Sequence, residues 1–350
     1  MELISLVIIN YNNKSYLKRC MNSIFDQTYK NLEIIFIDNE SKDGSFEYMK
    51  EEYHDNGILL IRNKINNGYA GAANQGIKLS KGKYVMILNP YIIMESDFIE
   101  KMIVFIESDE TIGALSGKLL KYDFERNKKL NYIDSAGIIM FKNTRCIDRG
   151  QNEEDLGQYD KTEQAFGVCG AAPLYRRSCL EKVSIDGEYF DEDFFAYKED
   201  VDLSWRLNLA GFKNMYYPKA IAYHGRGLGG SNGGVIDFIK NRKTQSKFLR
   251  GISYRNHLMM LFKNNVNNTL DKYKLDIILR ELKFTLYSII FEAFNFKYFM
   301  EAIKLRDKMR IKREKIEKIT KINDITLESV KLIWKNSLIF HRIARSLKII

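Results

Sequence analysis

The chain has 350 residues, with 55 Lys+Arg against 45 Asp+Glu, a formal net charge of +10. At 45% hydrophobic and 29% charged residues it has a globular composition, which excludes a disordered chain. The charge is divided: residues 1–236 hold 29 basic and 34 acidic residues, a net of −5, and residues 237–350 hold the other 26 and 11, a net of +15.

The four cysteines (Cys20, Cys146, Cys169, Cys179) are scattered, with no CxxC pair. That argues against a zinc ribbon and a disulfide framework, and fits a reducing compartment. Met1–Tyr11 is an apolar run without a basic leader or a small-residue cleavage site, so it reads as a buried strand and not a signal peptide. The longest uncharged apolar stretch of the back half, Phe284–Phe291, has eight residues. A membrane span needs about 20.

In chain order, Leu3–Asn10 is a continuous Val/Ile/Leu run, the pattern of a strand covered on both faces. Ser15–Phe25 carries Leu17, Met21, Ile24 and Phe25 at helical spacing. Leu32–Asp38 is a second strand, Ser45–Tyr53 a short helix and Gly57–Arg62 a third strand. Ala70–Leu79 is a helix of small residues and Lys83–Asn89 a fourth strand. The alternation predicts an α/β fold, a mostly parallel sheet with right-handed crossovers. Ligands of such sheets sit outside the C-terminal strand ends. Here those ends are polar: Asn10-Tyr11-Asn12, Asp38-Asn39 and Asn89-Pro90-Tyr91.

Asp38 opens the stretch Asp38–Ser45. A carboxylate at a strand end can accept hydrogen bonds from a ribose or base, while Asp43 or Ser45 also reads as a helix cap, the commoner use of such residues. Asn66–Gly76 is rich in Gly and Ala. Such residues let backbone approach a phosphate, or let a helix pack tightly on a sheet. A G-x-G-x-x-G after the first strand and a Walker lysine are both absent, which disfavours dinucleotide oxidoreductases and P-loop enzymes. Further on, Val201, Trp205 and Leu209 recur at helical spacing, so a helix starts near Glu199 or Asp200. Carboxylates in a first turn also suit the helix dipole.

These motifs stand in one order: S-L-V-I-I-N-Y-N, I-D-N-x-S-x-D-G-S, N-x-G-x-A-G-A-x-N-x-G-I and G-x-Y-x-x-x-L-N-P. Gly170-Ala171-Ala172, Phe190–Phe195, Glu199–Leu203, Gly211, Tyr217-Pro218 and His224 follow. Together they resemble a family 2 glycosyltransferase, nearest to its rhamnosyltransferase-like branch. The resemblance implies a GT-A fold, with a Rossmann-like, mostly parallel central sheet. It implies a catalytic domain over residues 1–236, with a nucleotide-sugar-binding half (1–115) and an acceptor-side half (116–236). A basic helical C-terminal extension, 237–350, completes the chain.

The implied activity is inverting transfer of a sugar from a dTDP- or UDP-activated donor to a glycan or lipid-linked acceptor, in surface polysaccharide or glycoconjugate synthesis. On that likeness Asn10, Tyr11 and Asp38 hold base and ribose, and Asn67, Gly68, Asn74, Asn89 and Arg226 the diphosphate and sugar. Asp200 is the general base, with Glu199, Asp202 and Trp205 on the acceptor side. A Mg²⁺ or Mn²⁺ ion would rest on Asn89 and His224.

One position departs from the pattern. The branch commonly carries Asn-Pro-Asp where this chain reads Asn89-Pro90-Tyr91. A hard divalent cation wants carboxylate oxygens, and a phenol with a pKa of about 10 is a poor substitute. Three readings stand. The metal rests on the diphosphate, Asn89 and His224; or the enzyme is metal-independent and uses cations such as Arg226; or the chain is a weakly active or non-catalytic nucleotide-sugar-binding scaffold.

Beyond Asp237 the sequence reads helical over Leu275–Phe299, Lys304–Lys321 and Leu327–Ile350. Lys304–Lys321 alone holds nine basic and three acidic residues. The tail is read either as a solvated appendage packed on the catalytic domain or as an attachment to an anionic membrane surface. The second reading places the protein in the cytoplasm, at the inner face of the cell membrane. No nucleic-acid module is recognisable.

Overall fold

The structure, a computed structural model, describes residues 1–225, 242, 244–266 and 270–321, with the backbone of Ile333 and Trp334. The first half alternates as its hydrophobic pattern requires: β1 (Ile4–Asn10), α1 (Lys14–Phe25), β2 (Leu32–Asp38), α2 (Ser45–Glu52), β3 (Leu59–Arg62), α3 (Gly68–Leu79) and β4 (Tyr84–Leu88). Every residue of β1 and of β4 is buried, because helices cover both faces of the sheet.

A short β5 (Ile92–Met94) and α4 (Phe98–Glu107) lead into the long β6 (Ile112–Asp123), β7 (Lys128–Ser135), β8 (Ile138–Phe141) and β9 (Cys146–Asp148). Then come β10 (Glu163–Ala165), β11 (Leu174–Arg176), α5 (Arg177–Val183), α6 (Glu199–Leu209) and β12 (Lys213–His224). The main sheet runs β10-β12-β6-β11-β4-β1-β2-β3. Strands β3, β2, β1 and β4 are mutually parallel, and β12 runs parallel to β6. Between these groups β11 is antiparallel to both β4 and β6, so both groups point the same way. Asn10, Asp38, Leu88 and His224 therefore end on one edge. This is the GT-A arrangement.

Among the described residues there follow the helices α7 (Lys247–Asn264), α8 (Lys274–Phe291), α9 (Asn295–Lys304) and α10 (Arg306–Ile319). The stretch expected as one helix over Leu275–Phe299 is two, α8 and α9, separated around Glu292. The last expected helix, from Leu327, lies outside the described residues except at Ile333–Trp334. Their backbone is a strand, β13, parallel to β8.

The expected boundary at 236 does not divide the hydrophobic core. Phe194, Val201, Trp205 and Leu209 share one buried cluster with Tyr254, Met259, Met309 and Ile316. Buried ion pairs cross the same boundary. Lys263 on α7, fully buried, lies 2.5 Å from Asp191 and 2.8 Å from Asp202. Lys312 on α10 reaches Asp191 at 2.6 Å and Asp193 at 2.8 Å. Lys308 and Lys315, on the same face of α10, pair with Asp193 and Asp186. Part of the basic tail is thus spent on the acidic segment Asp186–Asp202.

A cleft at the carboxyl edge of the sheet

The polar strand ends form a cleft of about 900 Å³. At its floor β1 and β2 are tied together: the Asn10 side chain donates to Asp38 and to Ser41, each at 3.0 Å. The Ser41 amide in turn donates to Asp38 at 3.0 Å. Asn10 and Asp38 are fully buried and do not line the cleft. They position Tyr11, which does line it and is exposed.

The next wall is a ring of asparagines. Asn39 donates to Asn66 at 2.8 Å and to the Gly68 carbonyl at 3.0 Å, and accepts from the Asn67 amide at 3.0 Å. Asn39, Asn66 and Gly68 face the cleft, whereas Asn67 does not. Gly68 has a φ of +72°, and a Cβ there would lie 2.3 Å from the Phe195 carbonyl oxygen. Only glycine permits this approach. It brings the Ala70 amide to the same oxygen at 3.1 Å, joining the two halves of the cleft.

Asn74, expected at the donor, is not there. Its amide donates to the Phe190 carbonyl and to Glu192, and its oxygen accepts from the amides of Tyr189 and Phe190. Every polar atom of this buried side chain is used to hold the segment before α6.

That segment, 194–198, is strained: Phe195, Tyr197 and Lys198 have φ of +64°, +71° and +74°. Such conformations cost non-glycine residues energy and persist only where surroundings fix them. Here the buried Asn256 of α7 does so. Its amide nitrogen lies 2.8 Å from each of the carbonyls of Phe194, Ala196 and Tyr197. Arg255 adds a hydrogen bond to the Asp193 carbonyl at 2.9 Å.

The strained turn delivers Glu199 and Asp200 into the cleft at the start of α6. Asp200 accepts from the Gly170 amide at 3.1 Å and from its neighbour Val201 at 2.8 Å. Burial pushes its pKa up, and so does Asp148, a cleft residue of β9; Lys198 opposes them. Burial, with Asp200 beside it, raises Glu199 to about 8. One Glu199 oxygen is buried without a hydrogen-bond partner among the described residues. At neutral pH Glu199 thus keeps its proton. A buried carboxylate with a raised pKa is suited to taking a proton.

Asp202 and Trp205, expected on the acceptor side, do not reach the cleft. Asp202 is fully buried between Lys263 and Arg206, which lies 3.0 Å away. Trp205 is buried against Phe166. Helix α6 is buried on nearly all sides, so only its first turn is open to a ligand.

At the far end, Asn89, Tyr91 and His224 line the cleft. The Tyr91 ring stacks on the His224 ring, with centroids 5.1 Å apart. His224 is buried and its Nδ1 lies 2.7 Å from Asp134, which favours a proton on Nδ1 and a lone pair on Nε2. Nε2 has no hydrogen-bond partner among the described residues. Carboxylate-oriented imidazole is a common metal ligand. However, no group of three or more His, Cys, Asp or Glu that could hold a metal occurs among the described residues. His224 and Asn89 fit a cation already carried by a diphosphate, not a protein cage. Arg226 lies outside the described residues.

The cleft therefore unites Tyr11, Gly68, Asn89, Glu199, Asp200 and His224. Sequence reasoning does not single out Asn39, Asn66, Asp148 or Lys198, which also line it. Asn39 and Asn66 stand inside the motifs quoted above; nothing local marks Asp148.

Comparison with known proteins agrees with this architecture. The model of glycosyl transferase family 2 matches residues 5–184. The poly-beta-1,6-N-acetyl-D-glucosamine synthase of Staphylococcus aureus is 28% identical over 228 residues, 64% of this chain and 50% of that protein. The synthase of Staphylococcus epidermidis matches similarly, at 28% over 227 residues. The chain thus spans about half the length of these relatives. Among solved structures, GalNAc-T7 with UDP, GalNAc and Mn²⁺ superposes with a TM-score of 0.65 at 14% identity, over 99% of this chain and 58% of that one. Residues 1–349 of S. aureus TarS give 0.51 at 13% identity, over 94% and 92%.

Proposed function

Because the chain belongs to glycosyl transferase family 2, we propose that it moves a hexose from a UDP- or dTDP-activated donor to a hydroxyl of a glycan or lipid-linked acceptor, with inversion. The observation that carries this is Asp200, a carboxylate of raised pKa held at the mouth of a cleft whose opposite wall is made of strand ends and the α3 N-terminus.

In that geometry Tyr11 and the Asn39–Asn66 ring face the nucleoside, and Gly68 at the α3 N-terminus faces the diphosphate. Asp200 takes the proton of the acceptor hydroxyl. The acceptor oxygen bonds to the anomeric carbon as the bond to the diphosphate oxygen breaks, and the nucleoside diphosphate departs from the opposite face. Glu199, held neutral, can donate a hydrogen bond to the acceptor without competing for its proton. A divalent cation on the diphosphate, steadied by His224 and Asn89, would neutralise the leaving group. The Mn²⁺ in the GalNAc-T7 structure supports this part of the reading.

The likeness to poly-N-acetylglucosamine synthases supports a role in surface-polysaccharide synthesis. A lipid-linked acceptor would place the enzyme at the cytoplasmic face of the membrane. No helix among the described residues is long and apolar enough to cross one.

Tyr91 favours a second reading, a nucleotide-sugar-binding scaffold, since its ring covers His224 where the family carries a carboxylate. A donor-hydrolysis screen over UDP- and dTDP-sugars, rhamnose included, with and without Mg²⁺ or Mn²⁺ separates the two. Turnover of one donor supports the transferase. Saturable donor binding with no turnover under any metal selects the scaffold.

A further inference from the structure

Helix α10 carries two basic rows. Lys308, Lys312 and Lys315 face the catalytic domain and pair with its acidic segment. Arg306, Arg310 and Arg313, at the same i, i+4, i+7 spacing, lie on the other side of the helix; Arg306 and Arg310 are exposed, and Arg313 is half-buried with its guanidinium donating to the Leu261 carbonyl at 3.4 Å. These three line a separate pocket of about 440 Å³ with Phe262 and Ile303. None of them forms a salt bridge among the described residues, and the Arg313 Nε is buried without a hydrogen-bond partner there.

An apolar surface runs up to this pocket. On α9, Phe296, Phe299, Met300 and Ile303 follow i, i+3, i+4, i+7 spacing and are all exposed, Phe296 by 69%. Ile303 belongs to both the stripe and the pocket. On α8, Leu275, Leu279, Leu282, Leu286 and Ile290 form a second exposed stripe, while Phe284, on the other side, packs on Tyr254. Exposed apolar rows on two neighbouring helices mark a docking surface.

We infer that α8, α9 and the Arg306–Arg310–Arg313 pocket form a membrane-docking face, with the apolar stripes lying in the headgroup boundary and the guanidiniums holding the phosphate of an anionic lipid. Charge selects this occupant. A second copy docked by the same face would set arginine pockets against each other. The longest stretch outside the described residues, 322–350, is itself basic, with Lys331, Lys335, Arg342, Arg345 and Lys348 against Asp324 and Glu328. An anionic bilayer offers both the apolar depth and the phosphates. The inference deepens the reading of a lipid-linked acceptor, but it rests on a different part of the molecule.

The test is flotation of the full chain with vesicles of phosphatidylcholine alone and of phosphatidylcholine mixed with phosphatidylglycerol. Binding is expected to the mixed vesicles only. Arg306→Gln with Arg310→Gln should weaken it about tenfold or more, and Leu282→Ser with Phe299→Ser should abolish it. All four residues are exposed, so melting temperature and donor hydrolysis in solution should not change. Equal binding to both vesicle types, or binding untouched by either pair, overturns the proposal. So does inorganic-phosphate binding without vesicle binding. Self-association or a lowered melting temperature in the Leu282/Phe299 pair, without vesicle binding, assigns the face to another copy or to the chain itself. Vesicle binding without donor turnover would sink the transferase reading and leave this face standing.

Discussion

The side-chain amide of Asn256 lies 2.8 Å from the carbonyl oxygen of Phe194, 62 residues earlier in the chain. The same amide also meets Ala196 and Tyr197, so one buried side chain holds the turn before Asp200. Asn256→Ala removes the donor and takes a hydrogen bond from each of three carbonyls, that of Phe194 buried and those of Ala196 and Tyr197 partly so. It is expected to cost about 1–3 kcal/mol of stability. Calorimetry gives that cost, and kinetics should show kcat falling more than donor KM, because the donor wall does not touch Asn256.

Asp200→Asn keeps the shape of the side chain and removes the base. Transfer is expected to fall by roughly 10²- to 10⁴-fold, with donor affinity by titration close to wild type. Retained transfer would assign the proton to Glu199 or Asp148.

Glu199 carries a pH signature. Its pKa rises from an ordinary 4.5 to about 8 on folding. The folded state therefore keeps a proton that the unfolded chain releases, and stability is lost as pH rises from about 4.5 through 8. Glu199→Gln should leave stability nearly unchanged below pH 4.5 and raise it above pH 8, read as melting temperature across pH. A pH-independent difference would refute the assignment.

Lys263 pairs with Asp191 and Asp202 inside the protein. Lys263→Met takes one of two cations from each of these buried carboxylates, leaving Asp191 to Lys312 and Asp202 to Arg206. A loss of about 1–3 kcal/mol is expected by denaturant unfolding. A loss under about 1 kcal/mol would mean the carboxylates reach water or protons freely.

Tyr91 bears on the metal. Tyr91→Asp removes a ring stacked on His224 and puts a carboxylate in its place. Mn²⁺ should bind the variant with donor diphosphate at least about tenfold more tightly, roughly the size of one ligand's effect, by calorimetric titration. Unchanged affinity would place the cation, if used, elsewhere.

The parallel strands and the position of Asp200 are legible in the sequence. The four strands follow from continuous Val/Ile/Leu runs, and Asp200 in a first helical turn follows from the spacing of Val201, Trp205 and Leu209. What periodicity does not give is the direction in which a buried helix faces. Asp202 and Trp205 lie on a helix covered nearly all round, so proximity to Asp200 in sequence does not mean proximity to ligand. Asn74 has the residue type of a donor contact but is claimed by backbone groups about 116 residues away. The tail's charge is visible, but its division into a lysine row facing inward and an arginine row on the other side depends on which side of α10 meets the Asp186–Asp193 segment.

The Asn256 clamp also sets a timetable. Synthesis proceeds from the N-terminus at about 5–20 residues per second, and the turn at 194–198 emerges well before the helix that fixes it. The nucleotide wall can close early, on contacts within the first two hundred residues, while the base must wait for α7. A nascent chain halted after His224 and before Asn256 would carry every motif of the resemblance and still lack a settled Asp200. The last part of the cleft to be set is the one that takes the proton.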